Sequence, residues 1–157
     1  MDDETLTYIE KAARENLDGH RSVAEMIQRE SNVLLALVIS GAAGALAYSA
    51  QPSALANGMV IPSLTTSLYL FATAVVIAAK CLALQEYPST SNEPRNLRTG
   101  NLPLEQIRLF ELENIQKRID DSVAINGRRA DWLNRCRYAA AATPVVAIAT
   151  WVLRRCI

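Results

Sequence analysis

The longest apolar run of the chain covers residues 33–50, and its only ionisable side chain is the Tyr48 phenol near its end. As a helix, this run would be roughly 27 Å long, close to the ~30 Å hydrocarbon thickness of a bilayer. A second apolar run, residues 63–79, follows Pro62 and ends at Lys80. We predict transmembrane helices over residues 32–50 and 63–84. A buried helix of a soluble domain is the alternative for the first.

The segment before the first run is charged. Within it, a stripe of positions that lie three or four residues apart begins at Leu6 and continues into the first run. Such a stripe is typical of a helix that faces one partner along its whole length. We therefore predict one long helix, or two collinear ones, over residues 4–50, of which residues 1–31 form a cytoplasmic amphipathic helix. Asn16, His20 and Glu30 are polar members of the stripe, and they either fix the register of an oligomer or are solvated.

A third apolar run, residues 139–153, is short for a membrane span. Pro144 lies near its start, Trp151 near its end, and Arg154 and Arg155 follow it. We predict a third transmembrane helix over residues 138–154. The alternative is a helix that lies in the membrane interface or re-enters the membrane.

The segments between these runs predict the topology. Residues 51–62 form an uncharged loop, residues 85–103 a proline-rich linker, and residues 104–137 a charged helix in which Asn126-Gly127 is a candidate kink. Because Lys and Arg favour the cytoplasmic side, we expect residues 51–62 outside and the N-terminus inside. Residues 4–31 and 104–137 would then pack as a cytoplasmic helical stalk.

Composition agrees with this layout. Half of the 157 residues are hydrophobic, few are aromatic, and the formal net charge is zero. We therefore predict an all-α integral membrane protein with three apolar helices and no nucleic-acid partner. The cysteines, Cys81, Cys136 and Cys156, lack CxxC spacing and are expected to be buried or interfacial thiols in a reducing compartment.

Motifs for catalysis are missing from the sequence. His20 is the only histidine, so a Ser/His/Asp triad or a His-rich metal site has little material. Asp120 and Asp121 would point to different faces of a helix, and no glycine-rich phosphate loop occurs. We expect no enzymatic activity, no catalytic residues, no cofactor and no metal.

Small residues recur every four positions in the first span. They are Ala36, Ser40 and Gly44 on one line and Gly41 and Ala45 on another. Because lipid gives no hydrophobic drive for helix association, close backbone approach over small residues is a main source of packing energy. We predict a tight helix contact here, with either the second span or another subunit as the partner.

Basic residues gather beside the second and third runs. They are Lys80, Arg128, Arg129, Arg135 and Arg137. Trp132 lies among them, and tryptophan is enriched at the level of lipid head groups. We predict that these cations contact anionic lipid head groups, and a site for a phosphate-bearing ligand is the alternative.

The layout resembles the Pycsar transmembrane effectors of bacterial cyclic-nucleotide anti-phage systems and, more loosely, the SLATT membrane effectors. The resemblance is carried by the charged helix that leads through residues 29–32 (RESN) into residues 34–36 (LLA), the membrane hairpin, the Glu93-Pro94-Arg95 step, and the helix of residues 119–137 that runs into the last apolar segment. Ser31 and Asn32 stand where that family tends to carry an acidic residue followed by Lys-Ala. The resemblance implies an inner-membrane protein that oligomerises and impairs the membrane when an infection signal is sensed.

Two functional hypotheses follow from this layout. The first is a self-associating, multi-pass effector of the bacterial inner membrane that impairs the membrane or forms a pore. The second is a passive membrane adaptor or scaffold whose stalk holds a cytoplasmic partner. Expected partners are membrane lipids, further copies of the chain, and a cytoplasmic protein or nucleotide signal. A transporter subunit, a third class, would need an ionisable group deep in the membrane, and only Lys80 comes near.

Overall fold

All secondary structure in residues 2–83 and 102–156, which the computed structural model describes, is helical, and this confirms the predicted all-α fold. In chain order the helices are α1 (Asp3–Ser49), α2 (Pro52–Ala56), α3 (Val60–Ile77), α4 (Leu104–Ala141) and α5 (Thr143–Cys156), and α3 continues into a π-helical turn, Ala78–Leu82. Most of the predicted linker, with its Glu93-Pro94-Arg95 step, lies outside the described residues.

Helix α1 runs unbroken from the charged segment through the first apolar run. At its start the Asp2 carboxylate accepts a hydrogen bond from the Thr5 backbone N–H at 3.0 Å, which satisfies one of the free donors of the first turn. At its end Gln51 is extended (φ −82°, ψ 146°), the conformation that Pro52 favours in the residue before it. One long helix therefore forms rather than two collinear ones.

The predicted loop over residues 51–62 is shorter than expected, because α2 forms within it and α3 already begins at Val60. Pro62 lies in the first turn of α3, where its missing N–H breaks no helical hydrogen bond. Gly58 turns the chain between α2 and α3 with φ 67°, the left-handed conformation that glycine adopts readily.

Helix α4 continues through the candidate kink at Gly127, and the break comes instead at Ala142, where α4 and α5 meet at 42°. Pro144 explains this position. It has no N–H to donate to the carbonyl of Ala140, and its ring crowds that carbonyl.

The chain divides into two compact units, and α1 and α4 contribute to both. Unit 1 comprises Met1–Met26 and Leu84–Arg128. Its core is formed by Leu17 of α1 with Ile115 and Ile119 of α4. Within it the Asn126 Nδ2 donates a hydrogen bond to the backbone oxygen of His20 at 2.8 Å, and Arg108 contacts the first turns of α1. The two helices therefore run in the same direction in unit 1.

Unit 2 comprises Ile27–Ala83 and Arg129–Ile157. Its core joins three helices and consists of Ile27, Val38 and Ala42 from α1, Leu70, Ala74, Ile77 and Cys81 from α3 and its π-helical turn, and Leu133 and Cys136 from α4. Helix α5 packs along α3.

In the part of the chain that the structure describes, two helices, α1 and α3 with its π-helical turn, are long and apolar enough to cross a membrane. The α4–α5 pair is a third if it counts as one bent span.

Candidate functional site

The surface of unit 2 carries large apolar side chains on α1, α3 and α5. Leu37, Leu68 and Val145 are 66%, 70% and 67% exposed, respectively. Further exposed members of this apolar band are Val33, Ile39, Leu46, Leu64, Phe71, Val75, Ile148 and Val152. A soluble monomer rarely exposes a contiguous apolar patch of more than a few hundred Å², so a band of this kind is typical of a membrane-binding or protein-binding surface.

Three side-chain hydroxyl groups buried in unit 2 donate hydrogen bonds to backbone carbonyls. Ser67 Oγ donates to the Ala42 oxygen at 2.8 Å and so ties α3 to α1. Ser31 and Thr73 donate to carbonyls one turn earlier in their own helices, at 2.7 and 3.0 Å. These contacts satisfy the polar groups without water, as an apolar environment requires.

Two further hydroxyls satisfy carbonyls beside the break between α4 and α5. Tyr69 Oη donates to the Ala139 oxygen at 2.8 Å, and Thr143 Oγ1 donates to the Ala140 oxygen at 2.7 Å. Helix breaks are tolerated at membrane depth when hydroxyl side chains take over the lost backbone bonds.

One end of unit 2 carries a cluster of two cations and an indole. Lys80 Nζ lies 5.8 Å and Arg135 Cζ 5.1 Å from the centroid of the Trp132 ring. Both distances fit a cation–π interaction. Lys80 and Arg135 are exposed, whereas Trp132 is half-buried.

The other predicted head-group residues are placed differently. Arg137 is exposed and forms an ion pair with Glu30. Arg129 is half-buried, and its guanidinium donates to the Ala83 carbonyl at 3.0 Å. Arg128 belongs to unit 1, where it is exposed and bonds to the Ala124 carbonyl of its own helix at 3.2 Å. The predicted group therefore contains cations in different surroundings: Lys80 and Arg135 have no ion pair to a described residue, Arg137 is ion-paired, and Arg129 is half-buried.

The opposite end of unit 2 is formed by the turn before α3 and the end of α5. The Arg154 guanidinium lies against Gly58 so closely that a Cβ built there would come 3.0 Å from the Arg154 Cζ. The Arg155 Cζ lies 4.2 Å from the centroid of the Trp151 ring. Each end of unit 2 therefore pairs a tryptophan with basic side chains.

The small residues of α1 lie on two different faces. The contact with α3 is made by Val38 and Ala42, and a Cβ on Gly41 would come 3.2 Å from Leu70 Cδ1. Ala45 is half-buried. The second line, Ala36, Ser40 and Gly44, is exposed, and a Cβ on Gly44 would meet nothing within 4 Å.

An ionic cluster joins α1 and α4 in unit 1. The Arg108 Nε donates to Glu10 Oε1 at 2.6 Å, its Nη2 donates to Thr7 Oγ1 at 2.9 Å, and Asp3 pairs with the same guanidinium. The hydrogen bond from Arg108 holds the pKa of Glu10 below its ordinary value. Both carboxylates hold the pKa of Arg108 above its ordinary range.

Metal-binding chemistry has no site in the described part of the chain, where no group of three His, Cys, Asp or Glu side chains could hold an ion. His20 is half-buried, and its backbone oxygen accepts the hydrogen bond from Asn126.

The sequence did not predict the hydrogen-bond and ion-pair partners of Tyr69, Ser67 and Arg108. For Trp132 it predicted a position at the level of lipid head groups but no cation–π contact. The spacing of Trp132 and Arg135 puts both on one helix face and is a signal that could have paired them. The contact of Lys80 with Trp132 joins distant parts of the chain and leaves no local signal.

Comparison with protein-family models, curated proteins and solved structures finds no match to this chain. The class is therefore defined by the fold and its surface: an all-α protein with two or three helices apolar enough to span a membrane.

Proposed function

We propose that the protein is integral to the bacterial inner membrane and acts as a self-associating effector that impairs the membrane or forms a pore. The observation that carries the membrane proposal is the apolar band of unit 2 between Trp132 and Trp151, each of which has a basic partner. In a bilayer these side chains would lie at the two head-group levels and the band between them would face lipid. The first test is an alkaline wash of cell membranes, after which the protein should remain in the membrane fraction. Release into the wash would contradict the proposal.

Self-association is supported by the exposed face of α1. Ala36, Ser40 and Gly44 point away from Val38 and Ala42, which make the contact with α3. This leaves the small-residue face open for another subunit, and lipid-embedded helices associate through such faces. The cytoplasmic segments and the resemblance to membrane effectors support a response to an infection signal.

The decisive variant is Gly44→Leu. A leucine at this open position should block close approach of a second α1 while leaving the α1–α3 contact intact, because no atom lies within 4 Å of the added Cβ. We expect crosslinked oligomers to disappear from native membranes. The proposal also predicts growth arrest and a fall in membrane potential when the wild type is induced during phage infection, and we expect both effects to be absent in this variant.

The choice of glycine matters for this test. Gly19→Leu changes another glycine of α1 with open space around it, in unit 1, and should leave oligomers and toxicity unchanged. Gly41→Leu is not a clean variant, since the added Cβ would press on Leu70 within the same chain. Unchanged growth and potential on induction of the wild type during infection would refute the effector role.

The adaptor role is the second candidate, and unit 1 favours it. Its two parallel helices expose mostly polar side chains, among them Glu4, Glu25 and Arg128. An adaptor should keep a cytoplasmic partner in pull-downs of the Gly44→Leu variant, and its induction should not change the membrane potential.

A further inference from the structure

Two cations, Lys80 and Arg135, lie beside Trp132 at one end of unit 2. Among residues 2–83 and 102–156, neither Lys80 nor Arg135 forms an ion pair. Asp131, one turn before Arg135, is exposed and outside ion-pair distance of it. Two exposed positive charges therefore converge on one indole.

An apolar groove between α3 and α4 lies beside Trp132 and Arg135. It encloses about 260 Å³ and its wall includes Ala72, Thr73 and Val76 of α3 and Trp132, Cys136 and Ala139 of α4. Arg135 lies at the groove as well. A charged mouth with an apolar channel behind it matches an amphiphile with an anionic head and a hydrocarbon chain.

A second groove of unit 2 shows what makes the first distinctive. It encloses about 410 Å³ and includes Arg29, Val33 and Leu37 together with the Glu30–Arg137 ion pair. The carboxylate of Glu30 offsets the charge of Arg137 there. Neither Lys80 nor Arg135 beside Trp132 is ion-paired with a described carboxylate, so both charges are available to an anion.

We propose that the groove beside Trp132 binds one acidic phospholipid, whose phosphodiester lies between Lys80 and Arg135 and whose acyl chain follows α3. The inference rests on the proposed membrane insertion of unit 2. The indole holds both cations at the groove mouth through cation–π contacts. A zwitterionic lipid carries its own ammonium beside the phosphate and gains less from the two cations, so the site prefers lipids with net negative charge.

Trp132 itself supplies the probe. In a Trp151→Phe background it is the only tryptophan of the chain. The full-length protein is reconstituted in phosphatidylcholine vesicles. A minor share of the lipid has brominated acyl chains, and this brominated lipid is either phosphatidylglycerol or phosphatidylcholine. We expect stronger quenching by the brominated phosphatidylglycerol. Lys80→Gln and Arg135→Gln should each lower this preference roughly fivefold, whereas Arg128→Gln, the same charge loss in unit 1, should leave it unchanged.

Each result separates this site from its alternatives. Equal quenching by both brominated lipids, or an unchanged preference in both Lys80→Gln and Arg135→Gln, would overturn the lipid site while membrane insertion stands. Quenching by neither lipid would overturn the insertion and the site together. Added inorganic phosphate should not remove the stronger quenching by brominated phosphatidylglycerol, because phosphate has no acyl chain to occupy the groove. Reversal by phosphate would assign the cations to a soluble phosphate compound and overturn the proposal.

Discussion

Arg108 joins α1 and α4 through a single guanidinium that reaches three side chains of α1: Asp3, Thr7 and Glu10. An isolated surface ion pair contributes little to stability, since water and salt screen it. Here Glu10 and Arg108 are both largely covered, with side chains 21% and 20% exposed, and the contact is bidentate. Such geometry makes the pair stronger than a typical surface salt bridge.

The lowered pKa of Glu10 makes the stability of unit 1 depend on pH. A carboxylate whose pKa falls on folding adds stability above its unfolded pKa, about 4.3 for Glu, and loses it as the pH drops through the lower folded value. We expect Glu10→Gln to lower the thermal midpoint at neutral pH and this difference to vanish in acid, as measured by circular dichroism in detergent. Glu25→Gln, at an exposed position without an ion pair to a described residue, should shift the midpoint little at either pH. A difference that persists in acid would contradict the assignment.

The helix break at Ala142 shows how local chemistry shapes an element. Pro144 cannot donate to Ala140, and the hydroxyl of Thr143 satisfies that carbonyl instead. The resulting bend is 42°, and the helix that follows it, α5, packs along α3.

Replacing this proline should change the packing of α5. In Pro144→Ala the new N–H can bond to Ala140 and the ring clash disappears, so α4 and α5 should approach one continuous helix, which alanine favours over proline by about 3 kcal/mol at a helix interior. We expect α5 to move away from α3. Crosslinking between Ile61→Cys and Leu153→Cys, which share one small cavity, should fall in a Cys156→Ser background.

A matched proline change tests whether the bend is responsible. Pro103 is exposed and precedes α4, so Pro103→Ala should leave the crosslink between α3 and α5 intact. An undiminished crosslink in Pro144→Ala would show that packing on α3, and not the proline, sets the bend.

The helices could be predicted from sequence where local composition determines them. The apolar and stripe patterns indicated one long helix, or two collinear ones, over residues 4–50, and the single helix α1 covers Asp3–Ser49. The kink was expected at Gly127, but a glycine without crowding can remain helical, whereas Pro144 removes a hydrogen bond. Contacts such as Tyr69 with Ala139 or Lys80 with Trp132 join residues far apart in the chain, so they follow from packing and not from any local pattern.

Unit 2 constrains the membrane topology of the protein. Gly58, in the turn before α3, contacts Arg154 near the end of α5, so this turn and the C-terminal segment lie at the same end of the unit. If α1 and α3 cross a bilayer with the N-terminus inside, the turn is outside, and the end of α5 is outside with it. The interfacial and re-entrant alternatives for residues 138–154 would instead leave the C-terminal segment at the cytoplasmic side.

Labelling of Cys156 can show on which side of the membrane the C-terminal segment lies. Cys156 is exposed, whereas Cys81 and Cys136 are buried, so a membrane-impermeant maleimide added to intact spheroplasts should label the wild-type protein at Cys156 alone. Cys156→Ser should abolish the labelling. Tyr8→Cys in that background places a thiol at an exposed site of the N-terminal helix. It should react only after lysis if the N-terminus is inside, as we propose. Labelling of Cys156 only after lysis would mean that α5 returns to the cytoplasmic side, and the protein would then cross the membrane twice and not three times.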